Sequence, residues 1–167
     1  MLKLKSSNKD AIFEEVRIFL SDNNIDIEDF DLSRPWGGFF VIKQSSLEIF
    51  NKLFFLEVNI SDLALKLSPK ILIVAPNKRL SWQYHFRRSE IWKLISGEAG
   101  IVRSDTDQET ALETLQIGQL ITLKQGERHR LVGLNHWGVV AEIWQHSNAH
   151  NPSNEDDIVR LQDDFGR

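Results

Sequence analysis

Apolar residues recur at three- and four-residue spacing near the start of the chain, where Ile12, Phe13, Val16, Phe19 and Leu20 share one face. That period predicts an amphipathic helix over residues 8–21. Ser7 or Asn8 is placed to cap its start, and Asp22-Asn23-Asn24 to stop it. A second, shorter helix is predicted over 46–56, with Ser45 and Glu48 in capping-box spacing. From Lys70 the texture changes. Short runs of Ile, Val, Leu, Trp and Phe alternate with turn residues at Pro76-Asn77, Ser96-Gly97, Asp105-Thr106-Asp107, Gln125-Gly126 and Leu134-Asn135. Short strands at this rhythm, roughly 8–12 residues apart, predict a β-sandwich or barrel. Gly37-Gly38 reads as a turn or bulge ahead of a Phe39-Phe40-Val41-Ile42 strand, not as a phosphate loop, because no helix start follows it. The tail from Asn151 is polar and acidic until Ile158-Val159-Arg160 and is expected to pack only in part.

Composition narrows the options. A chain of 167 residues suits one compact domain with a substantial core. A net charge of −4 implies no broad basic surface, so a nucleic-acid partner is not expected. Basic residues do cluster locally, at Arg79, Arg87 and Arg88 and at Arg128 and Arg130. With no cysteine, thiolate chemistry is excluded, and any metal must be held by nitrogen and oxygen ligands. The first residues lack the apolar core of a signal peptide, and no apolar run reaches the ~20 residues of a membrane span. A soluble, cytoplasmic protein without a membrane partner is the expectation.

The chemistry concentrates in Arg79–Trp92. Residues two apart on a strand face the same side, so Gln83 and His85 point together, as do Glu90 and Trp92 on the next strand after a turn around Phe86 to Ser89. His129, three residues after Gly126, can return to the same place if the strands wrap. Two imidazoles, an amide and a carboxylate can hold one divalent ion and leave positions open. A single Gln or His is more often a surface or capping residue; the Gly residues at 97 and 126 strengthen the reading as a set. His136, His146 and His150 sit in loop-like or tail contexts and are not read as ligands. Trp36, Trp82, Trp92 and Trp144 are read as core or dimer-face residues, with an aromatic platform under a sugar ring as the alternative.

The order Gln83, His85, Glu90, Gly97 and then His129 resembles the two metal-binding motifs of cupins, with Gln in the place of the usual first His. Gln there is similar to mannose-6-phosphate isomerases, above all the cupin domain of the type II enzymes. Arg34-Pro35-Trp36-Gly37, Arg79-Leu80-Ser81, Arg88-Ser89-Glu90, His129-Arg130-Leu131, Glu155–Arg160 and Phe165-Gly166-Arg167 resemble that family too. Related short bacterial chains are often labelled sugar-phosphate isomerases, including phosphoheptose isomerase. The resemblance runs from Arg34 to the end. It implies a mainly β fold: a single cupin double-stranded β-helix, or jelly-roll barrel, over 34–167, with an N-terminal helical extension over 1–33 and a short inserted helix within 45–68. This chain departs from the family at Phe86, Arg87 and Ile91, where His is common, and the departures leave the four ligands intact. No nucleotidyltransferase segment precedes the cupin as in the bifunctional enzymes, so that activity is not expected.

The resemblance implies an aldose–ketose isomerase for a small phosphorylated sugar, acting through a cis-enediol. The metal ligands are expected to be Gln83, His85, Glu90 and His129, with zinc as the expected ion and Mn, Co, Ni or Fe as alternatives. Glu142 is the candidate base because it shares a strand face with Trp144; Lys70 is the other catalytic candidate. Arg34, Arg87, Arg88 and Arg130 are the candidates to bind phosphate. Two other functions compete. One is an oxygen-activating iron cupin, and the other a non-catalytic cupin that binds a sugar or sugar phosphate. A homodimer is expected, because pairing protects open strand edges.

Overall fold

The computed structural model describes residues 1–60 and 66–166. Its elements run α1 (Lys9–Asp22), β1 (Ile27–Asp31), β2 (Gly37–Ile42), a 3-10 turn (Gln44–Ser46), α2 (Leu47–Phe54), β3 (Leu67–Val74), β4 (Trp82–Tyr84), β5 (Arg88–Ser104), β6 (Glu113–Thr114), β7 (Leu120–Leu123), β8 (Arg128–His146) and β9 (Val159–Gln162). The first helix forms where the periodicity placed it. Asn8 caps it by accepting the Ala11 amide at 3.3 Å, and Ile12, Phe13, Val16 and Leu20 are its buried stripe. The capping box expected for α2 does not form. Ser46 precedes the helix, but its hydroxyl accepts the Asp26 amide at 3.0 Å instead of capping. Of the segment read as inserted, residues 61–65 lie outside the described residues. The boundary drawn at Arg34 falls in the loop between β1 and β2, which are already paired. None of the described helices is long and apolar enough to cross a membrane.

All strand pairings are antiparallel, in the order β1-β2-β3-β8-β4-β9, with β5 on β8 and carrying β6 and β7. The expected mainly β jelly roll with an N-terminal helix and a second short helix is the architecture found. Its strands are not uniformly short, however. β5 has 17 residues and β8 has 19, and the turns expected at Ser96-Gly97 and Leu134-Asn135 lie inside them. The physical reason is a bend that does not break the ladder. The register slips between Leu94 and Ser96 and again between Gly97 and Ala99, and Gly97 faces Gly138 across the pair. Gly97 has φ +74°, and a Cβ there would lie 1.8 Å from the Trp137 carbonyl oxygen. Glycine thus marks a bulge where the two strands fold over together. As a result β8 pairs with β4 at His129 and with β3 along Gly138–Gln145.

Alternation along these strands makes two cores. Phe40, Ile42, Ile71, Ile73, Ile91, Val139, Ala141 and Ile143 face outward and are covered by Ile12, Phe13, Val16 and Leu20 of α1 and by Phe50 and Phe54 of α2. Phe39, Leu72, Val74, Trp92, Leu94 and Val140 face inward, packed with Trp36, Ile121, Leu123 and Leu131. Continuing the same inward parity brings Lys70 on β3, Arg88 and Glu90 on β5, and Glu142 and Trp144 on β8 into the barrel. All five are buried. One end of the barrel interior is therefore apolar and the other densely charged.

Candidate metal centre and cavity

Glu90 comes from β5, His129 from the start of β8, where it lies directly opposite Gln83 of β4, and His85 from the turn after β4. One ligand atom of each of His85, Glu90 and His129 lies within 4.8 Å of the others. His85 Nε2 is 3.3 Å from Glu90 Oε1, and His129 Nε2 is 3.4 Å from Glu90 Oε2. The other ring nitrogens face backbone carbonyls: His85 Nδ1 is 2.6 Å from Asp157 O, and His129 Nδ1 is 2.9 Å from Glu127 O. A carbonyl only accepts, so each Nδ1 carries a proton; His85 Nε2 accepts from Arg88 Nη2 at 3.0 Å, and His129 Nε2 faces Glu90 Oε2. Backbone oxygens set the tautomer of metal-ligating imidazoles in this way.

Whether these residues fit a metal turns on one atom. His129 Nε2 is buried and has no hydrogen-bond partner. With a neutral His129 ring, Nε2 and Glu90 Oε2 are two acceptors face to face at 3.4 Å, an arrangement that costs about 1–3 kcal/mol unless a proton or a metal cation lies between them. The donor set is two nitrogens and a carboxylate, all borderline or hard, which suits a divalent ion of the zinc or manganese type. Gln83 lines the cavity beside the group, its Oε1 accepting from Ser81 Oγ at 2.5 Å. The residues fit.

The cavity has a volume of about 380 Å³, within the range of small-molecule sites. Gln83, Glu90, Lys70, Glu142, Arg34 and Arg88 contribute to its wall. Burial would raise the Glu90 carboxyl, but Arg88, His85 and His129 outweigh it and hold Glu90 well below the usual range. Glu142 goes the other way. Burial first and the charge of Glu90 second push it up to about 8, with Lys70 and Arg88 opposing. Trp92 bridges the two carboxyls, its Nε1 donating to Glu142 Oε1 at 2.9 Å and Glu90 Oε2 at 3.1 Å. Burial lowers His85 to about 3, keeping it neutral as a ligand must be. Two carboxyls pushed apart by their surroundings can play different parts.

Eight of the ten residues singled out from the sequence meet here: the four candidate ligands and Lys70, Glu142, Arg34 and Arg88 around the cavity. Arg87 and Arg130 lie elsewhere. The chain turns after Tyr84, so strand parity restarts at β5 and Arg88, not Arg87, shares the face of Glu90. Arg87 instead bonds to Asn151 Oδ1, Pro152 O and Asn154 Oδ1. Arg130 is fully buried, donating to Leu80 O, Glu109 Oε1 and Gln162 O. His146 is on β8 rather than in the tail, with Ser68 Oγ at 2.8 Å from Nε2 and the Ser153 amide donating to Nδ1 at 2.9 Å. Those bonds make it structural. His136 is also on β8, but exposed.

The tail does more than its polar composition suggested. Its Asp157 carboxylate accepts the Phe86 and Arg87 amides, each at 3.0 Å, and Ser153 Oγ at 2.6 Å, while its carbonyl holds His85. Glu155 pairs with Lys70 Nζ at 2.5 Å, and Asp156, Ile158 and Arg160 line the cavity. Only the family-like run Glu155–Arg160 signalled this in the sequence.

Comparison with known proteins agrees with this architecture. The xanthan biosynthesis protein XanB of Xanthomonas campestris pv. campestris (strain B100) is 31% identical over 134 residues, 80% of this chain. XanB of a second strain, ATCC 33913, is 30% identical over the same length. The chain spans about a quarter, 23%, of each of these curated relatives. Among solved structures, a point mutant of Bacillus subtilis oxalate decarboxylase OxdC superposes with a TM-score of 0.58 at 15% identity, over 81% of this chain and 30% of that one. Procruciferin, an 11S globulin of Brassica napus, gives 0.54 at 18% identity over the same shares. A decarboxylase and an 11S globulin on one architecture show the fold and no more. The family model "Mannose-6-phosphate isomerase C-terminal" matches residues 22–163. With most of its length under that model and a jelly roll built around His85, Glu90 and His129, this chain belongs to the mannose-6-phosphate isomerase C-terminal family of cupins.

Proposed function

We propose that the chain is a metal-dependent aldose–ketose isomerase for a phosphorylated, mannose-6-phosphate-like sugar, acting through a cis-enediol. The observation that carries this reading is the shared inner face: the His85, Glu90 and His129 group opens onto a cavity whose other wall holds Glu142, a carboxyl near neutrality at about 8. A divalent ion held by Gln83, His85, Glu90 and His129, zinc by expectation, supplies Lewis-acid polarisation of a carbonyl when bound. Isomerisation moves a proton between C1 and C2, so one group must take it and give it back. A carboxyl poised near the working pH does both. Trp92 fixes the Glu142 carboxyl in place by its 2.9 Å bond. Lys70 is cross-strand from Glu142 and buried between the rings of Phe39 and Trp144, where it is the second candidate to carry a proton. Arg34, Arg88 and Arg160 line the wall and supply cationic donors for a phosphate.

The test is proton NMR in D2O on protein loaded separately with zinc and manganese and offered a panel of aldose and ketose phosphates. Deuterium at C1 or C2, lost in His129→Ala, is the expected result. Metal bound with no exchange on any sugar would refute it in favour of a non-catalytic sugar-phosphate-binding cupin. That second reading has one observation behind it, since an Arg88 N–H donates to His85 Nε2. The proposal includes a homodimer, because β1 and β9 end the sheet order with open edges. A monomer mass in light scattering at micromolar protein would count against it.

A further inference from the structure

An imidazole nitrogen in the Nε2 position has one lone pair, and here it is already used. Arg88 Nη2 donates to His85 Nε2 at 3.0 Å, and Arg88 Nε donates to Glu90 Oε1 at 2.7 Å. His85 Nδ1 faces a carbonyl, so the proton of that ring is on the far side and Nε2 is the acceptor. The guanidinium is nearly fully buried at 5% exposure. It stacks on Trp144 with Cζ 3.6 Å from the ring centroid, and Nη1 donates to Ser153 Oγ at 2.7 Å and Asn154 O at 3.2 Å. It reaches one imidazole and not the other; His129 Nε2 has no such donor. A cation coordinated by His85 and an Arg88 N–H on the same lone pair exclude each other. The fixed positive charge beside the group opposes a divalent ion further.

We infer that the Arg88 guanidinium is a built-in competitor for the metal, and that a cation enters as Arg88 releases His85. The inference rests on the metal-site reading above. Arg88 also lines the cavity, so the released guanidinium becomes available to an anionic group there. Metal and anion then bind with positive coupling. By linkage the effect is reciprocal, each raising the affinity of the other by the same factor. The contacts to Trp144, Ser153 and Asn154 keep the side chain at the cavity wall after it leaves His85. Occupation of the metal site is thereby tied to the presence of an anionic ligand, which in this reading is the phosphate of the sugar.

The experiment measures metal affinity and needs no turnover. Zinc and manganese are titrated calorimetrically into chelator-stripped full chain, for the unaltered protein, Arg88→Met and, as a control, His129→Ala. Each titration is run in chloride and in sulfate at equal ionic strength. Met at 88 is expected to tighten metal binding ~10- to 100-fold, the factor that corresponds to losing one or two charge-assisted hydrogen bonds from the metal-free state. Sulfate is expected to tighten metal binding by the unaltered protein and to have no effect on R88M. If Met at 88 prevents folding, Arg88→Gln, which removes the charge and the fork but keeps a polar side chain, is read in the same way. Metal binding by R88M no tighter than by the unaltered protein would overturn the competition. No sulfate effect on the unaltered protein would overturn the coupling. Absence of metal binding by either, which calorimetry reports separately, would sink the metal reading together with this one.

Discussion

Asp157→Ala tests the architecture at its least expected point. The Asp157 side chain is 2% exposed. Its carboxylate accepts the Phe86 amide, the Arg87 amide and the Ser153 hydroxyl, and Ser153 in turn accepts from Arg88. Alanine leaves two amides in the turn that carries His85, and the Ser153 hydroxyl, without their acceptor. Each such charge-assisted bond is worth ~1.5–3 kcal/mol, and because the bonds share one acceptor group they do not add in full. Breaking a buried charged network from one side costs ~3–5 kcal/mol, and we take that as the expected loss. For a chain of this length it corresponds to a fall in Tm of about 6–20 °C. Losing the clamp also frees the His85 turn, so metal affinity should fall ~10- to 100-fold, as when an outer-shell partner of a ligand is removed. Denaturant unfolding in the presence of chelator reads the first effect and calorimetric metal titration the second. Asp157→Asn keeps an acceptor oxygen without the charge and should fall between. A D157A protein within ~1 kcal/mol of the unaltered one, with the same metal affinity, would refute the claim that the tail holds the site.

Other expectations follow from single features. Gly97→Ala puts a Cβ 1.8 Å from Trp137 O at φ +74° and should abolish folding or lower Tm sharply, whereas Gly118→Ala, at φ +84° with nothing within 4 Å, should cost only ~1–2 kcal/mol of left-handed strain; parallel thermal melts compare them. Burial foremost lowers His146 to about 4 from 6.5. Its folded value is the depressed one, so the associated stability is present above pH 6.5 and is lost as pH falls toward 4, to a limit of ~3 kcal/mol. Urea unfolding across that window should flatten in His146→Gln, and an identical slope in the variant would count against the assignment. Lys70→Met removes a cation that lowers Glu142, so the Glu142 midpoint should move above its present value of about 8. Carboxyl carbon NMR reads the shift, and a midpoint that stays or falls would exclude Lys70 as a neighbour acting on it.

What was legible in the sequence follows physical rules that act locally. Ile12 to Leu20 show a helical period because one face of α1 is buried, and Gln83, His85 and Glu90 stand out because metal chemistry needs those donor types close together. Glycine at 97 was legible as a special backbone position but not as a bulge, since the same φ serves a turn and a bend. The strand that runs through it depends on Gly138, over forty residues away. Arg87 and Arg88 could not be told apart by parity, because the answer depends on whether the chain turns at His85. Asp157 was hidden for a different reason. It acts on backbone amides and a hydroxyl, groups that leave no pattern of side-chain types, and a polar, acidic tail looks the same whether it is solvated or buried.

The long bent strands explain why a densely charged end of a barrel can exist in this fold. Arg88, Glu90, Lys70, Glu142 and His85 are all buried, and each alone would be costly in an apolar interior. β5 and β8 run without a break from the apolar half of the interior to the charged half, so the packing of Trp92, Leu94 and Val140 fixes the side chains two residues further along the same strands. The charges are then largely balanced in place: Arg88 against Glu90, Lys70 against Glu155, and Glu142 by holding its proton. Among the ligand nitrogens, His129 Nε2 differs: it has no hydrogen-bond donor and lies 3.4 Å from Glu90 Oε2. A rigid scaffold that satisfies its other ligand groups and leaves one buried lone pair without a donor favours a cation at that point. The same rigidity makes Arg88, the side chain holding the neighbouring lone pair, the group through which affinity for that cation is set.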